Sequence, residues 1–151
     1  MTAGRTLRST PGAAVRAGVA YFGLVFAAGF LLGAVRVTLL VPRLGERWAE
    51  LAEMPIMALA IWLAATRIVR RYALPPAGSS RLAAGAVALL LLVLAELALT
   101  VVLQGRALTE YLASRDPVSG AVYLAMLAVF GAAPWLLSFR RRGSADAGSD
   151  P

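Results

Sequence analysis

The chain contains no cysteine, no histidine and no lysine. Without cysteine there is no disulfide, no thiolate metal ligand, no iron–sulfur cluster and no thiol nucleophile, and the redox state of the compartment leaves no mark. Without histidine, imidazole ligation of metals, the commonest general base and the Ser–His triad are excluded. Without lysine, Schiff-base chemistry and the phosphate-cradling P-loop are excluded. Carboxylate, guanidinium and hydroxyl groups remain, so no catalytic residue, cofactor or metal site is expected. Charge is scarce as well: 15% of the residues are charged and 60% are hydrophobic, where a soluble domain is about 25% charged. Lipid must replace water around much of such a chain.

All 15 basic residues are arginine, and against eight acids they leave a net charge of +7. A basic balance is one mark of nucleic-acid binding. Here the arginines flank long apolar runs, which is the positive-inside pattern of membrane proteins, so no nucleic-acid partner is expected. The expected partners are the lipid bilayer and either a membrane-protein partner or further copies of the same chain.

Four apolar runs are wide enough to cross a bilayer, at about 17–41, 55–71, 82–103 and 117–139. The stretch Ala17 to Val35 has no charge and as a helix covers roughly 28 Å, close to the hydrocarbon thickness. Pro42 and Gly45 end the first run. Pro55 is expected in the first turn of the second, where its missing N–H needs no partner, and Pro117 opens the fourth behind an Asp116 N-cap. Pro134 should kink the fourth near its end. A removed signal peptide is the rival reading of the first run, behind Arg5, Arg8 and Arg16. The run is longer than such an apolar region and continues through Gly29 and Gly33, so a retained helix is expected.

Orientation follows from the arginine count. The N-terminal tail (Arg5, Arg8, Arg16), the second connection (Arg67, Arg70, Arg71, Arg81) and the C-terminal tail (Arg140, Arg141, Arg142) share one side and hold ten of the 15. The other side dilutes Arg36, Arg43, Arg47, Arg106 and Arg115 with Glu46, Glu50, Glu53, Glu110 and Asp116. The prediction is an all-α polytopic protein: a four-helix transmembrane bundle of two helical hairpins over 17–140, both termini cytoplasmic, with a tail at 1–16 and a disordered one at 141–151. A shift of about 60 to 62 residues superposes Pro55 on Pro117 and Arg36 on Glu96, a pattern that fits a parallel repeat about an axis along the membrane normal.

One carboxylate, Glu96, lies well inside the third run. Ionisable groups in lipid cost at least ~2.5 kcal/mol, so they face the bundle interior and take partners. Thr100 and Gln104 follow Glu96 at i+4 and i+8 on one helical face. Arg36 shares a face with Gly29 and Gly33, a small-residue pair that admits a neighbouring helix closely. The two lie at similar depth, and an Arg36–Glu96 ion pair is expected. Read as a helix, 43–54 aligns Glu46, Glu50 and Glu53, which repel unless an arginine intervenes. The candidate polar cluster is therefore Arg36, Arg43, Glu50, Glu53, Glu96 and Thr100, with Arg106 and Asp116 beside it. It either fixes helix packing through ion pairs or binds a polar headgroup, a cation or a proton at Glu96. On the opposite side, Arg67, Arg70 and Arg71 with Arg140, Arg141 and Arg142 are candidate contacts for anionic lipid headgroups, though topology signalling alone explains them.

The segments Gly33-Ala34-Val35-Arg36, Val41-Pro42-Arg43-Leu44-Gly45, Ala49-Glu50-Leu51-Ala52-Glu53-Met54-Pro55 and Ser114-Arg115-Asp116-Pro117 resemble a family of small four-span proteins of the bacterial inner membrane that has no established activity. The resemblance covers residues 17–140 and implies fold and location only. Two functions stay open. One is a non-enzymatic accessory, assembly or regulatory membrane protein that meets a partner through small-residue faces such as Ala121, Ala125, Ala128 and Ala132. The other is a small oligomeric transporter or ion-coupled carrier that uses Glu96.

Overall fold

The computed structural model describes residues 11–75, 78–104 and 117–146, and among them every regular element is helical. Helix α1 spans Pro11–Val35, a π-helical segment follows over Arg36–Leu40, and a short α2 spans Val41–Leu44. Then come α3 (Glu46–Arg71), α4 (Gly78–Gln104) and α5 (Pro117–Asp146). Four stretches are long and apolar enough to cross a membrane: Gly12–Leu44, Glu46–Arg71, Ser79–Leu99 and Gly120–Phe139. Ala- and Leu-rich segments favour helix, which satisfies every backbone group internally. Their outer faces are as apolar as the interior, with Phe30, Leu31, Leu90 and Leu124 each at least 60% exposed. A helix apolar on all sides fits lipid rather than water.

Several element boundaries differ from the sequence expectation. Pro55 lies inside α3, not in its first turn. The helix starts at Glu46 because Gly45, with φ of 79° and ψ of 163°, reverses the chain immediately before it. That backbone region is open essentially to glycine alone. The Glu46 carboxylate then sits in the first turn, where the helix dipole favours it. At the other end of the chain, α5 continues past Phe139 to Asp146, so residues 141–146 are helical where composition predicts an unstructured tail.

The helices pack in a ring, α1 on α3, α3 on α5, α5 on α4 and α4 on α1. A two-fold axis along the bundle would set α1 and α4 at opposite corners. They are neighbours, so the parallel repeat expected from the Pro55–Pro117 register is not the arrangement this chain adopts. The core runs along helical stripes: Ala17, Tyr21 and Val25 on α1, Ile61, Ala65 and Ile68 on α3, Ala84 and Ala88 on α4, Phe130 and Ala133 on α5.

Two helix crossings depend on missing side chains. A Cβ at Gly85 would overlap the carbonyl oxygen of Gly131 on α5, and one at Gly18 would lie 2.7 Å from the carbonyl oxygen of Ala84 on α4. The close approach expected at Gly29 and Gly33 lies elsewhere: a Cβ at Gly29 would make ordinary contact with Met57, and one at Gly33 would meet open space.

Pro134 and Tyr21 form a single device at the centre. Proline at position 134 has no N–H to give the carbonyl of Phe130, four residues earlier. The buried Tyr21 hydroxyl supplies the missing donor, 3.0 Å from that oxygen, while its ring stacks on Phe130 with centroids 4.7 Å apart. Removing the hydroxyl with Tyr21→Phe should cost about 1–3 kcal/mol, the penalty for an unsatisfied buried acceptor. In a Pro134→Ala background the restored amide takes over and that cost should shrink below about 0.5 kcal/mol, the usual additivity error. Denaturant titrations of the four proteins measure the coupling. An equal cost in both backgrounds rules this account out.

Arg81 also differs from its expected role as a topology signal. It is buried, and its Nε and Nη2 donate to the carbonyl of Leu74 at 3.3 and 3.1 Å. The forked guanidinium thus ties the chain leaving α3 to the start of α4, a task for which the single ammonium of lysine is ill suited.

Candidate functional site

All four long helices contribute to one cavity of about 350 Å³. Its floor is the Phe130 ring with Val25 and Ile61, and its wall carries Phe26, Phe30, Leu92, Leu127 and the methionines Met54, Met57 and Met126. The chain has four methionines, and all but Met1 face this space. From Val25 at the floor to Arg36 at the polar end, α1 rises roughly 16 Å.

The polar end is built by local chain geometry. Pro42 lacks the N–H that would bond the carbonyl of Thr38, and the helix widens before it. The Val41 N–H reaches back five residues to the carbonyl of Arg36, closing the π turn. π turns recur at functional sites. After the reversal at Gly45, α3 brings Glu50 and Glu53 against this segment. Arg36 Nη1 donates to Glu50 Oε1 at 3.1 Å, and Arg36 Nε lies 2.8 Å from Glu53 Oε2. The Glu53 side chain is the more enclosed of the two carboxylates, at 12% exposure against 21%.

Glu96 on α4 lines the same cavity, but the direct Arg36–Glu96 pair expected from their matching depth is not formed. The π segment packs on α3, and Glu50 and Glu53 of that helix reach the guanidinium instead. Glu96 accepts a hydrogen bond at Oε2 from the Tyr123 hydroxyl of α5. Among the described residues no arginine lies within ion-pair distance of Glu96. Tyr123 was not legible as a site residue by charge. Its signal is the face it shares with Met126, Leu127 and Phe130, at i+3, i+4 and i+7.

Of the other candidates, Arg43 is exposed on α2 and does not line the cavity. Glu46 is exposed in the first turn of α3. The Thr100 side chain, and Arg106 and Asp116 altogether, lie outside the described residues. Arg67, Arg70 and Arg71 are exposed around the last turns of α3, with Arg70 and Arg71 where the dipole favours cations. Arg140, Arg141 and Arg142 belong to α5, and their side chains are outside the described set. Also among the described residues, no group of three or more acidic side chains is placed to hold a metal ion.

The cavity joins an apolar, aromatic and thioether body to three carboxylates, one guanidinium and one phenol at its end. Compared with protein-family models, curated proteins and solved structures, the chain matches none.

Proposed function

We propose that this chain is a non-enzymatic multi-pass protein of the bacterial inner membrane, with both termini cytoplasmic, that binds a small amphipathic molecule in the cavity. The observation that carries this reading is the convergence of all four helices on one space whose apolar floor and charged end differ sharply in character. Binding sites of this kind are concave, mostly apolar and provided with a few placed polar groups. Of the two functions open from the sequence, this favours the carrier class. A bundle that only holds a partner needs no such space. The accessory reading has its own support, since Ala121, Ala125 and Ala128 are exposed on α5 and leave a small-residue face for another helix. The arginine distribution supports the orientation.

A chain without native cysteine permits a direct test. Gly33 lines the cavity and has room for a side chain, so Gly33→Cys should fold normally. In intact spheroplasts a membrane-impermeant maleimide should label Gly33→Cys and should spare Ser149→Cys until the cells are opened. Labelling of Ser149→Cys alone would reverse the orientation. No labelling of Gly33→Cys from either side would remove the binding site and leave the accessory reading.

A further inference from the structure

The proposed binding reading can be carried to a ligand class, on which it does not itself depend. The cavity end holds Glu50, Glu53 and Glu96 against Arg36. Three carboxylates and one guanidinium give a formal charge of −2, and Arg36 is already engaged by two of the three. An excess of one sign in a cleft with apolar walls attracts the opposite sign, because low-dielectric walls focus the field. The wall beside these groups supplies what a large, weakly hydrated cation prefers. Phe26 and Phe30 contribute aromatic rings to the lining, and Met54, Met57 and Met126 contribute polarizable, adaptable thioethers. A small metal ion finds no set of three close carboxylates among the described residues, and an anion meets charge of its own sign. The volume of about 350 Å³ suits a compact organic ion, at the lower end of small-molecule sites.

We infer that the cavity binds a lipophilic organic cation, of the quaternary ammonium or phosphonium class, with its charge toward Glu96 and its apolar groups against the Phe130 floor. Glu96 is the group that meets the cation, since Glu50 and Glu53 share Arg36 and the Tyr123 hydroxyl occupies only one of the two Glu96 oxygens in the described contacts. Gly33 lines the cavity between Phe30 and Arg36, and nothing lies within 4 Å of the position a Cβ would take there.

The test uses two ions of the same shape and opposite charge, tetraphenylphosphonium and tetraphenylborate, titrated calorimetrically into the full chain in a neutral maltoside detergent with empty micelles subtracted. Tetraphenylphosphonium should bind at least tenfold more tightly than tetraphenylborate. Glu96→Gln should weaken the phosphonium at least tenfold, and Gly33→Phe, which fills the space and leaves every charged side chain of the site in place, should abolish its binding. Circular dichroism and elution volume establish that both variants are folded. Equal binding of the two ions overturns the assignment of charge. Failure of both ions to bind, with Gly33→Cys still labelled from outside, overturns the ligand class and spares the binding reading. Unlabelled Gly33→Cys removes the binding reading itself.

Discussion

Gly85→Ala should be the most damaging single-methyl change in the bundle, costing about 3 kcal/mol or more. The new Cβ has nowhere to go: it overlaps the backbone carbonyl of Gly131, and the δ carbon of Pro134 lies 3.6 Å away. Overpacking costs about 1–3 kcal/mol when side chains can shift, but here the obstacle is the main chain of a neighbouring helix and relief requires α4 and α5 to separate. Gly18→Ala should follow, since its Cβ meets the Ala84 carbonyl at 2.7 Å and Val87 at 2.8 Å. Gly23→Ala supplies the control. Nothing lies within 4 Å of that Cβ, so the better helix propensity of alanine should stabilise the protein by up to about 1 kcal/mol. Unfolding titrations in mixed micelles, followed by tryptophan fluorescence, give the ranking. A Gly85→Ala protein as stable as Gly23→Ala would mean that the α4–α5 crossing is wider than described.

These crossings mark the boundary of what the sequence made readable. The apolar runs, their number and their approximate limits follow from hydropathy and length, because a membrane-spanning helix is specified by a long stretch of similar residues. Which helix lies beside which does not, because all four are rich in the same Ala, Leu and Val and any pair matches any other chemically. Gly29 and Gly33 look like a packing motif by spacing, yet the tightest approaches are at Gly18, against Ala84 and Val87, and at Gly85, against Gly131. Spacing along one helix carries no information about its neighbour. The same limit explains the charged site. Arg36, Glu50, Glu53 and Glu96 were legible as inward groups because charge in an apolar run needs a partner. The pairing was not, since it depends on a π turn set by Pro42 and on the reversal at Gly45, and depth alone cannot choose between α3 and α4. Tyr21 shows a further gap: its role depends on a carbonyl freed by a proline 113 positions away in the chain, from 21 to 134.

Arg36→Met should be the most harmful change in the cavity, although methionine keeps the length and apolar character of the stem. It leaves Glu50 and Glu53 facing one another with their shared cation gone. Breaking an enclosed ion pair by removing one partner costs about 3–5 kcal/mol. With the Arg36 side chain 25% exposed, solvent screening places this case near the lower end. The arithmetic of charges then predicts partial rescue. Arg36→Met combined with Glu53→Gln removes the more enclosed carboxylate and should recover at least half of the loss, whereas Glu53→Gln alone should be mildly destabilising, so the pair is strongly coupled in a double-mutant cycle. Glu96→Gln belongs outside that cycle: the Tyr123 hydroxyl has an amide oxygen to donate to, and Arg36 is not within ion-pair distance of the carboxylate. Its effect on stability should stay within about 1 kcal/mol, the net value of an ordinary hydrogen bond. The same unfolding titration applied to these five proteins and to Arg36→Met combined with Glu96→Gln decides between two pictures of the cavity. If Arg36→Met and Glu96→Gln are equally harmful and the loss is recovered by joining them, the guanidinium pairs with α4 and the division of the charged end into a closed triad and a separate carboxylate is wrong. If the coupling lies between Arg36 and Glu53 alone, Glu96 contributes little to holding the helices together, and its place in the apolar interior calls for a role in binding.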